Sequence, residues 1–178
     1  MNMNYNRKLK RGIIGGIVSI LLILLDQYTK FLAVKYLQNQ PNIVFMKGVF
    51  ELQYLENRGA AFGIMQGQKL FFVLFTSIAM IGIIWFFLNK IPEEKKYRFL
   101  DIICVMLFAG GIGNLIDRVR LNYVIDFFYF SLIDFPIFNV ADIYVTVAAF
   151  VMIILGMFYY KDEDYDLIFP SKKEQGKK

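Results

Sequence analysis

The chain has 178 residues, 57% of them hydrophobic and 17% aromatic, with a formal net charge of +5, one cysteine and no histidine. So many long uncharged runs indicate an integral membrane protein, and the positive charge does not signal nucleic-acid binding because the basic residues gather at segment ends, where they orient a chain in a bilayer. Without histidine there are no Ser-His or Cys-His nucleophile pairs, and the lone Cys104, a small core residue by its apolar setting, supports neither a disulfide nor a thiolate metal site.

Residues 1–11 form a basic N-terminus that includes Arg7, Lys8, Lys10 and Arg11. The apolar run that follows, residues 13–25, spans only roughly 20 Å as a helix. To cross a bilayer the helix must continue through Asp26-Gln27-Tyr28-Thr29-Lys30, where Asp26 and Lys30 share a face at a spacing of four and can pair. A cleaved signal peptide has the same basic-then-apolar opening, but this polar stretch stands where a small-residue cleavage site belongs, so the first helix is read as retained.

Residues 37–69 contain a predicted hairpin, Ile43-Val44-Phe45-Met46, a Lys47-Gly48 turn, then Val49 to Leu55. Its second arm alternates, with Phe50, Leu52 and Tyr54 on one face. Residues 70–88 are uncharged over roughly 28 Å of helix, close to hydrocarbon thickness. A third span falls at about 100–116 and a fourth at about 138–160. Between them, in residues 119–137, Val124 to Phe130 is rich enough in β-branched and aromatic residues to add a strand. The charged tail, 161–178, reads as disordered.

The expected fold class is therefore all-α membrane protein, with four transmembrane helices and a small extracytoplasmic β-hairpin or sheet formed by the outward loops. The helices make a single domain over 12–160. Lys90, Lys95, Lys96 and Arg98 in the middle loop, with Lys161 and the lysines of the tail, put both termini and that loop in the cytoplasm and the loops 37–69 and 119–137 outside.

That topology sends the unexpected polar residues to one depth. Asp26 and Lys30 end the first helix, while Asn114, Asp117 and Arg118 end the third at three- and four-residue spacing. Asn139 and Asp142 open the fourth, and Asn57 and Asp126 arrive from the outward loops. Ionisable groups beside hydrocarbon are costly and mark function by default, although a single Asp at a helix start is more often a cap. Two carboxylates sharing one water suit aspartic-peptidase chemistry, in which one holds a proton while the other acts as base. Spacing alone does not say which two. Asp117 adjoins Arg118 as a candidate ion-pair partner, Asp134 lies in an exposed loop, and Asp126 sits between Ile125 and Phe127-Phe128, where desolvation raises a carboxyl pKa. Gly110-Gly111-Ile112-Gly113 gives the third helix a small-residue face, suited to close helix packing or to a substrate helix, with packing favoured.

Five stretches in order resemble the lipoprotein signal peptidases (signal peptidase II), membrane aspartic peptidases of bacteria. They are Asp26-Gln27-Tyr28-Thr29-Lys30, Asn57-Arg58-Gly59-Ala60-Ala61-Phe62, Gly113-Asn114-Leu115-Ile116-Asp117-Arg118, Val124-Ile125-Asp126-Phe127 and Phe138-Asn139-Val140-Ala141-Asp142. The resemblance implies a catalytic dyad of Asp126 and Asp142. It implies a substrate site lined by Asn57, Gly59, Asn114, Arg118, Asn139 and Ala141, with Asp26, Lys30 and Asp117 in support. It also implies an enzyme of the bacterial cytoplasmic membrane, its site on the extracytoplasmic face, that cuts diacylglyceryl-modified prolipoproteins before the lipidated cysteine. No metal or cofactor is expected; the partners are the lipidated precursor and membrane lipid, with no nucleic acid, and the chain is expected to be a monomer. Two rivals use the same carboxylates. An ion-coupled transporter would hold them nearer the midplane, in broken helices or repeats, and a metal-dependent headgroup enzyme would set them around a divalent cation.

Overall fold

The computed structural model of the protein describes residues 2–59 and 67–170. In chain order it contains α1 (Asn2–Leu37), β1 (Ile43–Met46), β2 (Phe50–Asn57), α2 (Lys69–Asn89), α3 (Arg98–Leu121), β3 (Val124–Tyr129), α4 (Val140–Phe158) and α5 (Asp162–Ile168). Among the described residues, three stretches are each long and apolar enough to cross a membrane: α2, α4, and Lys95–Leu121, which contains α3. α3 runs past the predicted end at 116 because Asp117 and Arg118 find partners inside the protein while Arg118 and Arg120 sit in the last turn, where cations favour the helix dipole.

Burial is inverted relative to a soluble bundle. Among the α1 side chains whose burial is described, the buried residues are Gly15, Ser19, Asp26, Lys30, Ala33 and Leu37, one stripe at helical spacing, and three of the six are polar. Ile17, Ile20, Leu21, Leu24 and Phe31 face outward and are exposed. Only Met80 is buried along the whole of α2. Such an apolar exterior is stable in hydrocarbon and nowhere else.

α3 is the central element, packed against α1, α2 and α4. Its glycines permit this approach: a Cβ on Gly110 would stand 2.5 Å from the Ala141 carbonyl oxygen, and one on Gly113 would stand 2.5 Å from Asp26 Oδ2. The small-residue face is thus occupied by neighbouring helices, as the packing reading expected.

The strands form an antiparallel sheet in the order β1-β2-β3. Leu52 and Tyr54 pack with Ile125 and Phe127 against Ala33 and Leu37 of α1, and Phe50 stacks on Phe128 at 6.0 Å. An irregularity between Leu52 and Leu55 resets the register so that Leu55 lies opposite Asp126 and Asn57 opposite Val124. Two backbone features then aim the chain. Asn122, left-handed at φ 72°, ends α3 and turns directly into β3. Phe128 and Phe138 exchange backbone hydrogen bonds of 2.8 and 3.0 Å, which brings the start of α4 back alongside β3.

At the opposite end the expectation of a disordered tail is corrected over residues 162–168. Residues 162–168 form α5, because Asp164 is buried and accepts from the Lys161 amide at 2.8 Å, the Tyr97 hydroxyl at 2.7 Å and Lys96, while Ile168 enters the apolar core. The amide, ammonium and hydroxyl donors hold the Asp164 carboxyl down at about 2. Residues 171–178 lie outside the described residues.

The Gly110 contact is with backbone, which cannot rotate away. Gly110→Val is expected to lower unfolding stability in detergent by about 1–3 kcal/mol, whereas Gly16→Ala, mid-helix with open space around it, should raise it by up to about 1 kcal/mol. Equal melting temperatures for the two variants would contradict this packing.

Candidate active site

The polar residues gather where the helix bundle meets the sheet. Lys30 is 1% exposed and Asp26 is fully buried. An ammonium has three protons to donate, and Lys30 uses all of them: Asp26 Oδ2 at 2.9 Å, Asp117 Oδ2 at 2.9 Å and Asn114 Oδ1 at 2.8 Å. The predicted pairing of Asp26 with Lys30 is present. That of Asp117 with Arg118 is not, because adjacent helical residues point in different directions. Asp117 turns inward to Lys30, while Arg118 reaches the Gly59 carbonyl at 3.4 Å and lies over the Phe72 ring at 4.9 Å.

The two supporting carboxylates each grip backbone immediately before another aspartate. Asp117 Oδ2 accepts from the Ile125 amide at 3.3 Å, one residue before Asp126. Asp26 Oδ1 accepts from the Ala141 amide at 2.9 Å, one residue before Asp142. One buried lysine thus anchors both segments that carry the candidate dyad.

Two side-chain amides join Asp126 to Asp142, and a third holds Asp126 from the other side. Asn139 Nδ2 donates to Asp126 Oδ1 at 2.6 Å and to Asn114 Oδ1 at 3.1 Å. Asn114 Nδ2 donates to Asp142 Oδ1 at 2.8 Å, and Asn57 Nδ2 donates to Asp126 Oδ2 at 2.8 Å. The orientation of each amide is fixed by a group that can only donate: Lys30 for Asn114, the Asp142 backbone N–H for Asn139 at 3.0 Å, and the Gly59 N–H for Asn57 at 3.0 Å. Asp142 Oδ2 accepts from the Asn139 backbone N–H at 3.1 Å, closing a capping box at the start of α4. Asp142 is therefore both the N3 residue of the capping box that Asn139 opens and a member of the cluster.

Asp126 is 1% exposed. Burial first, then the Asp142 charge, push its carboxyl up to about 7, against the lowering pull of the Asn57 and Asn139 donors. The desolvation expected from its apolar neighbours is the largest cause. Asp134, expected in an exposed loop, is exposed and accepts from the Tyr129 hydroxyl. Gly59 and Ala141 contribute backbone only. Ala60, Ala61 and Phe62 of the second motif lie outside the described residues. Gln27 belongs to this cluster and was not singled out from sequence: its amide donates to Asp117 Oδ1 at 3.0 Å, and to Asp26 Oδ2 and the Gly113 carbonyl at 3.2 Å each. Its place inside the first motif was the available signal; for Phe72 the sequence holds none.

The arrangement matches a known group of proteins. The family model for signal peptidase II matches residues 18–158. The chain belongs to the signal peptidase II family. A lipoprotein signal peptidase of Caldanaerobacter subterraneus is 43% identical over 143 residues, covering 80% of this chain and 94% of that protein. One from Streptococcus pyogenes serotype M5 is 42% identical over 146 residues, covering 82% and 92%. Two solved bacterial membrane enzymes share the fold. The first, at 2.3 Å resolution, has a TM-score of 0.73 and 27% identity over 89% of this chain and 92% of its own. The second, at 1.9 Å, has a TM-score of 0.72 and 29% identity over 83% and 94%. The chain is thus a bacterial membrane protein of a signal-peptide-cleaving family, and no match supports the ion-coupled transporter.

The lysine hub carries a direct test. Lys30→Met leaves Asp26 and Asp117 buried without their cation and is expected to cost about 3–5 kcal/mol in thermal unfolding. Adding Asp26→Asn to it removes one stranded charge and should recover part of that loss. A double variant less stable than Lys30→Met would disprove the hub.

Proposed function

We propose that this signal peptidase II is an aspartic endopeptidase whose catalytic pair is Asp126 and Asp142, acting on prolipoproteins that carry diacylglycerol on the cysteine after the cleavage site. The observation that supports the reading most strongly is the relay Asp126–Asn139–Asn114–Asp142, with distances of 2.6, 3.1 and 2.8 Å. It tethers two carboxylates through neutral amide donors, and no basic side chain among the described residues pairs directly with either.

In this reading water bound between the carboxylates attacks the scissile carbonyl. The ionised member takes a proton from water as the new C–O bond forms. The protonated member polarises the carbonyl oxygen, and a proton passes to the leaving nitrogen as the C–N bond breaks. The proton belongs to the pair and is not assigned to one residue. Arg118, Asn57 and Gly59 line the approach of the polypeptide, and Asp26, Lys30 and Asp117 hold the frame. α1 supplies a fourth transmembrane crossing: it is 36 residues long, with basic residues at one end and Asp26, Lys30 and Lys35 toward the other. Residues 12–160 then make one membrane domain, with basic termini and middle loop in the cytoplasm and the sheet and carboxylates outside. The polypeptide acts as a monomer within lipid.

Asp126→Asn and Asp142→Asn are each expected to reduce cleavage of a diacylglyceryl-modified precursor by at least about a thousandfold, with membrane insertion and melting temperature little changed; both variants should be assayed beside the unlipidated precursor, which the native protein leaves uncut. Robust processing by either variant removes its residue from the dyad.

The rate should also depend on pH. With Asp126 pushed up to about 7, the pair keeps its proton below neutrality and loses it as pH rises through that value. The acid member is then missing, so kcat should fall on the alkaline side with an apparent pKa near 7. A rate that stays flat from pH 6 to 9 on a pH-stable precursor would refute the shared-proton mechanism.

A further inference from the structure

A cavity lies at the end of the protein away from the carboxylates. It is a groove of ≈1440 Å³ between α1 and α3, larger than the ~300–1,000 Å³ typical of pockets for small ligands. Its walls are apolar: Ile14 and Val18 on one side, Ile102, Val105 and Met106 on the other. It ends at Tyr144, whose hydroxyl donates to the Leu22 carbonyl at 3.4 Å. Its mouth is charged. Lys8, Lys10, Lys95 and Arg98 line it and are exposed, as are Glu93 and Glu94, and no ion pair joins any of these six among the described residues.

Arg11 and Asp101 complete the lining. Arg11 caps the end of α2 by donating to the Ile91 carbonyl at 2.9 Å and to the Phe87 carbonyl, so its position is fixed. Its Nε lies 3.8 Å from Asp101 Oδ1, too far for a hydrogen bond, and both buried atoms lack a partner. Nothing in the peptidase chemistry uses this site.

We propose that the groove between α1 and α3 binds an anionic membrane phospholipid. The phosphate meets the unpaired cations of the mouth, and an acyl chain follows the apolar walls toward Tyr144. The net positive mouth selects an anion over the basic end of a signal peptide, and basic pockets between membrane helices are suited to acidic lipid headgroups. The site stands without the peptidase reading; only its assignment to the cytoplasmic leaflet rests on the proposed orientation.

Native mass spectrometry of the purified chain in detergent tests this with phosphatidylglycerol, phosphatidylcholine of the same acyl chains, and glycerol phosphate alone. Phosphatidylglycerol is expected to bind at least about tenfold more tightly than phosphatidylcholine, and millimolar glycerol phosphate should not displace it. Lys10→Gln with Arg98→Gln should weaken the phosphatidylglycerol complex about 25-fold, at roughly fivefold per surface cation. Glu94→Gln should tighten it, and Val105→Trp should abolish it by filling the groove. Equal binding of the two lipids overturns the proposal, as does an unchanged affinity in the double variant or in Glu94→Gln. Displacement of phosphatidylglycerol by a stoichiometric synthetic signal-peptide helix also overturns it, in favour of a peptide occupant. Lipid binding is read without any cleavage assay, so its failure is separable from a failure of the dyad.

Discussion

Everything at the sheet–bundle junction depends on one buried ammonium. Lys30 sits among three acceptors from α1 and α3, each of which reaches onward to α4 or β3. Asp26 holds the α4 backbone at Ala141, Asp117 holds the β3 backbone at Ile125, and Asn114 holds the Asp142 side chain. A buried cation with every proton committed is a poor source of raw stability, since its desolvation offsets most of its attraction. Its value is geometric. The alternatives to this one arrangement each leave a charge unpaired in a medium that cannot solvate it.

That constraint also explains why the amides are asparagines. A carboxylate in place of Asn114 or Asn139 would add charge to a cluster already holding four aspartates, and an apolar residue would break the link between Asp126 and Asp142. An amide offers one acceptor and two donor protons. Donor-only neighbours fix its acceptor end, so its donors must face the carboxylates. The donors are in place before any substrate arrives, which is the condition for electrostatic preorganisation. The packing around them serves the same end: Gly110 and Gly113 let α3 approach α4 and α1 closely enough for these short side chains to meet.

Much of this was legible in the residues, because the physical rules involved are local or topological. Hydropathy placed α2, α3 and α4 within a few residues, alternation placed the hairpin and its buried face, and the topology brought Asp26, Asn57, Asn114, Asp126 and Asp142 to one end. What failed to show was set by neighbours distant in sequence. Asp117 chooses Lys30 over adjacent Arg118 because helical geometry outranks sequence proximity. The tail looks disordered by composition, yet Asp164 finds Tyr97, Lys96 and a helix N-terminus together, and α5 folds around it. The Phe128–Phe138 bridge, which sets Asn139 beside Asp126, has no signature in either segment alone.

Depth is the remaining constraint, and it connects the frame to the chemistry. The helices present apolar residues outward along their length, while the polar residues close on one another at the level where α3 and α4 meet the sheet. In the proposed reaction a carboxyl that keeps a proton near neutrality needs to be screened from bulk water. The floor of apolar helix beneath the cluster and the aromatic sheet above it, with Phe127 buried and Phe128 stacked on Phe50, supply that screen. The same burial that raises the Asp126 carboxyl would scatter two unsupported aspartates, since neither could afford to stay ionised beside the other. The lysine-centred frame, by gripping the residue before each, removes that freedom and leaves protonation as the only way for the pair to relieve its charge.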